Sequence, residues 1–208
     1  SSPSPPAPQS ARVPRSTLFE LVTAYTWAIP RPVPKARFRV RPKETAVSVT
    51  DQLLENNAAY AATFEGPLPL PPSKHIAVVA CMDARLNVYG ILGLNDGEAH
   101  VIRNAGGVVT DDEIRSLAIS QRLLGTQEII LIHHTDCGML TFTDDAFKAS
   151  IQDETGIKPP WSAEAFRDLD ADVRQSIARI KASPFVPKTD AVRGFVFDVA
   201  TGKLNEVV

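Results

Sequence analysis

Two short apolar runs, each ending in residues that carry chemistry, constrain this chain more than any other feature. Ile76-Ala77-Val78-Val79-Ala80 runs into Cys81-Met82-Asp83-Ala84-Arg85, and Ile129-Ile130-Leu131-Ile132 runs into His133-His134-Thr135-Asp136-Cys137-Gly138. Both runs are too short for a buried helix and rich in β-branched residues, so each reads as a strand buried on both faces. In an open α/β sheet, ligands collect at the carboxyl ends of parallel strands. That geometry predicts Cys81, His134 and Cys137 on one rim. Two thiolates and an imidazole suit Zn²⁺, and three protein ligands leave a fourth position for chemistry.

Strand and helix patterns alternate around these runs. Ser48 and Asp51 are spaced as a capping box, with Asp in the place of Glu or Gln. Leu53, Leu54, Ala58, Ala61 and Ala62 follow at helical spacing and predict an extended N-terminal helix that stops before Gly66-Pro67. A strand over about 75–81 and a short helix near 86–92 come next. Ala99-His100-Val101-Ile102 reads as a strand entering the loop Arg103-Asn104-Ala105-Gly106-Gly107, where backbone can approach closely. Asp111-Asp112-Glu113 opens a helix whose Ile114, Leu117, Ala118 and Leu124 face the sheet and which Gly125 stops. A strand at 128–134 is followed by a helix through about Ile151, a break at Gly156–Pro160 and a long helix over roughly 162–182. A strand at 193–198, a turn at Thr201-Gly202 and an edge strand at 203–208 complete the pattern. The expected fold is α/β: a mostly parallel central sheet, helices on both faces and an antiparallel edge strand.

Composition divides the chain. Residues 1–45 hold nine of the 17 prolines and eight Lys/Arg against two Glu, a net of +6, which leaves −8 for the remainder of a chain whose total is −2. Such a segment cannot bury enough apolar surface to offset its ordering entropy, so residues 1–45 are expected to be a disordered basic extension and 46–208 the folded domain. A targeting peptide and a basic arm for an anionic partner are the competing readings; an upstream extension without a role is preferred. The overall charge gives no reason to expect nucleic acid or a membrane as partner, and no apolar run is long enough to span a bilayer. The two cysteines both lie in the motifs, which excludes a disulfide framework and fits a reducing, cytoplasmic compartment.

His134-x-x-Cys137 can wrap one ion from a single strand-end turn, and Cys81 lies 53 residues earlier, one strand–helix–strand excursion away. Buried apolar filler is the plain alternative for the two cysteines. Asp83 shares the direction of Cys81 if strand geometry persists, and Arg85 is placed to pair with it. A mere surface ion pair would be worth little. Beside a metal, Arg85 can hold Asp83 off and keep an aqua position open; released, Asp83 can itself become the fourth ligand and close the site.

Taken together, Cys81-Met82-Asp83-Ala84-Arg85, Arg103-Asn104-Ala105-Gly106 and His134-Thr135-Asp136-Cys137-Gly138 resemble the β-class carbonic anhydrases, from about residue 48 onward. The resemblance is nearest to the compact actinobacterial type and to related carbonyl sulfide hydrolases. It implies zinc on Cys81, His134 and Cys137, an Asp83–Arg85 gating dyad, and reversible hydration of CO₂ to bicarbonate and a proton by zinc-bound hydroxide. It further implies substrate contacts near Gly106 and Gly138, and a homodimer, with higher homo-oligomers open, whose N-terminal helix packs on the partner subunit. His133 and His100 are the candidate proton carriers. Many plant-type members place a Gln before the first strand; here that stretch is Pro71-Pro72-Ser73-Lys74. Carbonyl sulfide or CS₂ as substrate, and a non-catalytic zinc- or anion-binding module, therefore stay open as alternatives.

Overall fold

The computed structural model describes residues 48–208, so the expectation for residues 1–45 lies outside the described residues. Five strands form one sheet in the order β2-β1-β3-β4-β5. They are β1 (Ile76–Cys81), β2 (Ala99–Asn104), β3 (Glu128–His134), β4 (Val192–Phe197) and β5 (Leu204–Val207). The first four are mutually parallel, and β5 returns antiparallel on β4 through the Thr201-Gly202 turn. Five helices join them: α1 (Val49–Ala61), α2 (Val88–Leu92), α3 (Asp111–Arg122), α4 (Asp144–Thr155) and α5 (Leu169–Ala182).

The alternation of side chains along β1 and β3 divides the core. Ala77, Val79, Ile129 and Leu131 point to the face covered by Ile114 and Leu117 of α3 and Ile180 of α5. Val78, Ala80 and Ile132 point to the other face, where Val88 of α2, Met139 and Phe166 pack. The second face is thus covered by a five-residue helix and loops rather than by long helices. Ser48 and Asp51 do form their capping box: Asp51 Oδ2 accepts from the Ser48 N–H and Oγ, and Ser48 Oγ accepts from the Asp51 N–H. None of the residues of α1 is buried, its leucines included.

The long helix expected over 162–182 is shorter. It begins only at Leu169, capped by the Asp168 carboxylate accepting from the Ala171 N–H at 2.8 Å. The Asp144 carboxylate, at the start of α4, takes the preceding segment instead. It accepts from Ser162 Oγ at 2.7 Å and from the N–H groups of Ala163, Glu164 and Ala165 at 2.8, 3.2 and 2.8 Å. Glu164 sits at φ +59°, outside right-handed helix geometry. The helix before this loop also runs a turn past Ile151, to Thr155, where Gly156 stops it in the left-handed region.

One glycine holds the strand ends together. A Cβ on Gly107 would lie 2.8 Å from the Cys81 N and 3.0 Å from the Ile132 O, at φ +72°. Those neighbours are backbone and cannot step aside, so the loop after β2 reaches the β1–β3 seam only with glycine there. Gly107→Ala is expected to cost about 2–4 kcal/mol of stability, the sum of overpacking and a left-handed non-glycine residue. Gly138→Ala, with nothing within 4 Å of the new methyl, should change stability by less than about 0.5 kcal/mol. Urea denaturation of both variants checks the contrast; equal destabilisation would contradict it.

Candidate metal centre

The pairing of β1 with β3 decides where the motif residues meet. Their register sets Ala80 opposite Ile132, so both strands finish within about two residues of each other at one rim. Cys81 closes β1, His134 closes β3, and the turn through Thr135-Asp136 brings Cys137 back to the same place. One ligand atom from each of the three lies within 4.8 Å of the others, and all three residues are buried. His134 Nε2 stands 3.2 Å from Cys81 Sγ.

One hydrogen bond sets the coordinating tautomer of the histidine. His134 Nδ1 is 2.8 Å from the Thr135 carbonyl, which can only accept, so Nδ1 carries the proton and the neutral ring keeps its lone pair on Nε2. The Cys137 thiol donates toward Cys81, drawing the Cys81 thiol well down from its ordinary range; the backbone N–H groups of Asp83 and Gly106 add to this. The same bond leaves the proton on Cys137 and pushes that thiol up. Burial works against an imidazolium at His134, yet the hydrogen bonds to Cys81 and to the Thr135 carbonyl outweigh it and raise its pKa. Two sulfurs and a ring nitrogen packed this closely and buried favour a cation among them.

Asp83 and Arg85 lie beside the triad. Arg85 donates from Nε to Asp83 Oδ1 at 2.9 Å, from Nη2 to Asp83 Oδ2 at 2.8 Å, and from its backbone N–H to Oδ1 at 2.9 Å. These bonds hold the Asp83 carboxyl far below the usual carboxylate range and push the Arg85 guanidinium up. Asp83 Oδ2 remains 3.7 Å from His134 Nε2. The carboxylate is therefore engaged by arginine while within reach of the triad.

Gly106 sits in the short 3₁₀ turn Ala105–Gly107, buried at φ +85°, where an added Cβ would meet Met139 and Phe166. Gly138 follows Cys137 and borders open space. The two candidate proton carriers are elsewhere. His133 is fully buried and bonded through Nε2 to Asp172 of α5 at 2.7 Å. His100 pairs with Ala77, four residues before Cys81 and so about 13 Å down the strand, and bonds Ser120 Oγ at 2.7 Å. His133, one residue before the end of β3, bonds Asp172 and packs ring to ring against Phe166 at 5.7 Å, so its ring is enclosed in the interior.

Arg103 and Asp136, which stand in the motifs without an assigned role, also contribute. Arg103 donates to the Cys81 carbonyl from Nε and Nη2 at 3.0 and 2.9 Å and to the Asp83 carbonyl at 2.6 Å, pinning the end of β1 from the neighbouring strand. Asp136 takes the far edge of Arg85. Its position between His134 and Cys137 was the one available signal.

Comparison with known proteins agrees with this geometry. The family model described as "Carbonic anhydrase" matches residues 76–164. Beta-carbonic anhydrase 1 of Mycobacterium tuberculosis is 73% identical over 161 residues, which cover 77% of this chain and 99% of that protein. A carbon disulfide hydrolase of Saccharolobus solfataricus is 35% identical over 66% of this chain and 79% of its own length. Among solved structures, the carbonic anhydrase of Streptococcus mutans superposes with a TM-score of 0.72 at 42% identity, over 77% of this chain and 98% of that one. On the 73% identity across nearly the whole length of that relative, with the strand-end triad in place, the chain belongs to the β-carbonic anhydrase family.

Proposed function

We propose that this chain is a zinc-dependent carbonate dehydratase that interconverts CO₂ and bicarbonate. The observation that carries this reading is the Asp83–Arg85 pair set against the buried Cys81–His134–Cys137 triad, since holding a metal alone needs no such pair. Cys81, His134 and Cys137 would hold the ion; two thiolates with a neutral imidazole are a donor set suited to zinc. When bound, zinc supplies the Lewis acidity that brings the pKa of a water toward neutrality and so makes hydroxide available to attack the carbon of CO₂.

The protein's residues do the rest. The Thr135 carbonyl keeps His134 in the coordinating tautomer. Asp83, held ionised by Arg85, accepts a hydrogen bond from the attacking oxygen and orients it. Arg85 keeps the carboxylate from turning onto the triad, 3.7 Å away, where it would occupy the fourth position. Gly138 leaves the rim open beside Cys137 for a small linear substrate.

The depressed pKa of Asp83 fixes the sign of its pH behaviour. Its paired, charged form persists above the ordinary carboxylate range near ~4 and is lost only as pH falls through its lower folded value. Protonation of Asp83 is therefore not the source of a rise in rate through neutrality; competition between the nucleophilic water and the Asp83 carboxylate for one position would be. The test is stopped-flow hydration from about pH 6 to pH 9, with CS₂ and carbonyl sulfide assayed beside CO₂. The wild type should hydrate CO₂ faster than either sulfur compound, rising through neutrality, and lose the activity to a chelator. Arg85→Ala should reach its rise only at higher pH. Faster turnover of CS₂, which the 35% identical hydrolase makes the second reading, would reassign the substrate; zinc content without turnover of any of the three would leave a binding module.

We also propose that the protein is a homodimer. α1 leaves Val49, Leu53 and Leu54 at least 60% exposed, an apolar stripe that calls for a surface to cover it. A second copy is the occupant that the family resemblance implies. Removing residues 1–45 should leave the dimer intact by light scattering. Removing residues through 59, which spares the hydrogen bond of Tyr60 to Asp96, should yield a folded monomer. A dimer that survives the longer deletion would contradict a role for α1.

A further inference from the structure

Arg85 is a long, half-exposed side chain on the loop after β1, with 46% of its side chain accessible. Its two-pronged bonds to Asp83 are local, two residues apart. They tie the arginine only to its own loop. If that loop shifted, Asp83 and Arg85 would move together, and the pairing would say nothing about where the carboxylate stands relative to His134 and Cys137.

The other edge of the guanidinium is held by a residue 51 positions on. Arg85 Nη1 donates to Asp136 Oδ2 at 2.8 Å, and Nη2 donates to the Asp136 main-chain carbonyl at 3.0 Å. Nε, Nη1 and Nη2 are all engaged, one edge on the Asp83 carboxylate and the other on one carboxylate oxygen and the main-chain carbonyl of Asp136. Asp136 lies in the turn between His134 and Cys137, so this contact joins the loop carrying Asp83 to the loop carrying two of the three metal-binding candidates. We propose that Asp136 is a positioning residue: it clamps Arg85 from the triad side and thereby sets where Arg85 presents Asp83. This rests on the reading of Asp83–Arg85 as the dyad of a hydrating enzyme.

A simpler role for Asp136 competes. Its φ is +56°, a left-handed conformation that Asp tolerates better than most residues. The two roles predict opposite results for one substitution. Glycine fits φ +56° better than aspartate, so Asp136→Gly should be neutral or stabilising if only the backbone matters. If the carboxylate is the tether, Asp136→Gly should release Arg85. Asp136→Asn keeps the left-handed preference and a neutral acceptor, so it should restore part of the effect.

The experiment follows the Arg85 Nη1–H signal by nitrogen-15 NMR in the full chain, zinc-free and zinc-loaded, with CO₂ hydration and zinc content measured on the same samples. In the wild type this N–H should be protected from exchange in both forms. Asp136→Gly should lower its protection severalfold in both forms and reduce kcat/KM roughly fivefold, about 1 kcal/mol, at unchanged zinc content. Asp136→Asn should fall between the two on both readouts. Full protection and full activity in Asp136→Gly would overturn the proposal, as would lost protection with unchanged activity. If the wild type itself failed to hydrate CO₂, the dyad reading would fail separately, and protection retained in the zinc-free Asp136→Gly protein would overturn the clamp while its loss would uphold it.

Discussion

The parallel pairing of β1 with β3 is the constraint on which everything else depends. Its register brings two strands that are distant in sequence to a common end. Cys81 and His134 become neighbours because each is the last residue of its strand, not because of any local signal between them. The seam stays tight because Gly107 lets the loop from β2 lie against the Cys81 backbone and the Ile132 carbonyl. Bonds beyond the strands extend the same order: the Met82 N–H donates to the Asn104 carbonyl at 2.7 Å and the Thr135 N–H to the Phe197 carbonyl at 2.9 Å. The loops that carry the chemistry are thus anchored on both sides to the central sheet.

A buried group of two thiols and an imidazole is electrostatically unfinished. Without a cation, the two sulfurs share a proton, one held low and the other high. The imidazole is drawn toward protonation by the same thiolate, against its burial. Two buried sulfurs and an imidazole nitrogen within 4.8 Å of one another are a donor set that a metal ion would satisfy. Asp83 stands just outside this group because Arg85 satisfies it first. The division between three groups that need a cation and a fourth that already has one is what separates a metal store from a reactive site.

The legible parts of the fold were those governed by local rules. β-branched runs marked β1 and β3, and β3 falls on 128–134 as its pattern predicts. The capping residues Ser48 and Asp51, the acidic first turn of α3 and the Thr201-Gly202 turn all rest on contacts a few residues apart. What the sequence hid was long-range. Asp144 claims N–H groups 19 to 21 residues later, which removes the first third of the helix expected over 162–182. Asp172 reaches His133 from α5 and keeps its ring inside. The triad itself was readable because cysteine and histidine announce their chemistry at any distance; the roles of Arg103, near the end of β2, and Asp136, in a turn, were not, because a lone Arg or Asp there is ordinarily only solvated.

Cys81, His134 and Cys137 are proposed to hold one zinc ion, with Asp83 kept beside it by Arg85. X-ray absorption at the zinc edge of the purified full chain tests this assignment most directly. The account predicts two sulfur neighbours at about 2.3 Å and two lighter ones, nitrogen or oxygen, at about 2.0–2.2 Å. It also predicts that Cys81→Ser and Cys137→Ser each lose most of the bound metal. A zinc shell without sulfur, or metal retained at full stoichiometry by both cysteine variants, would contradict it.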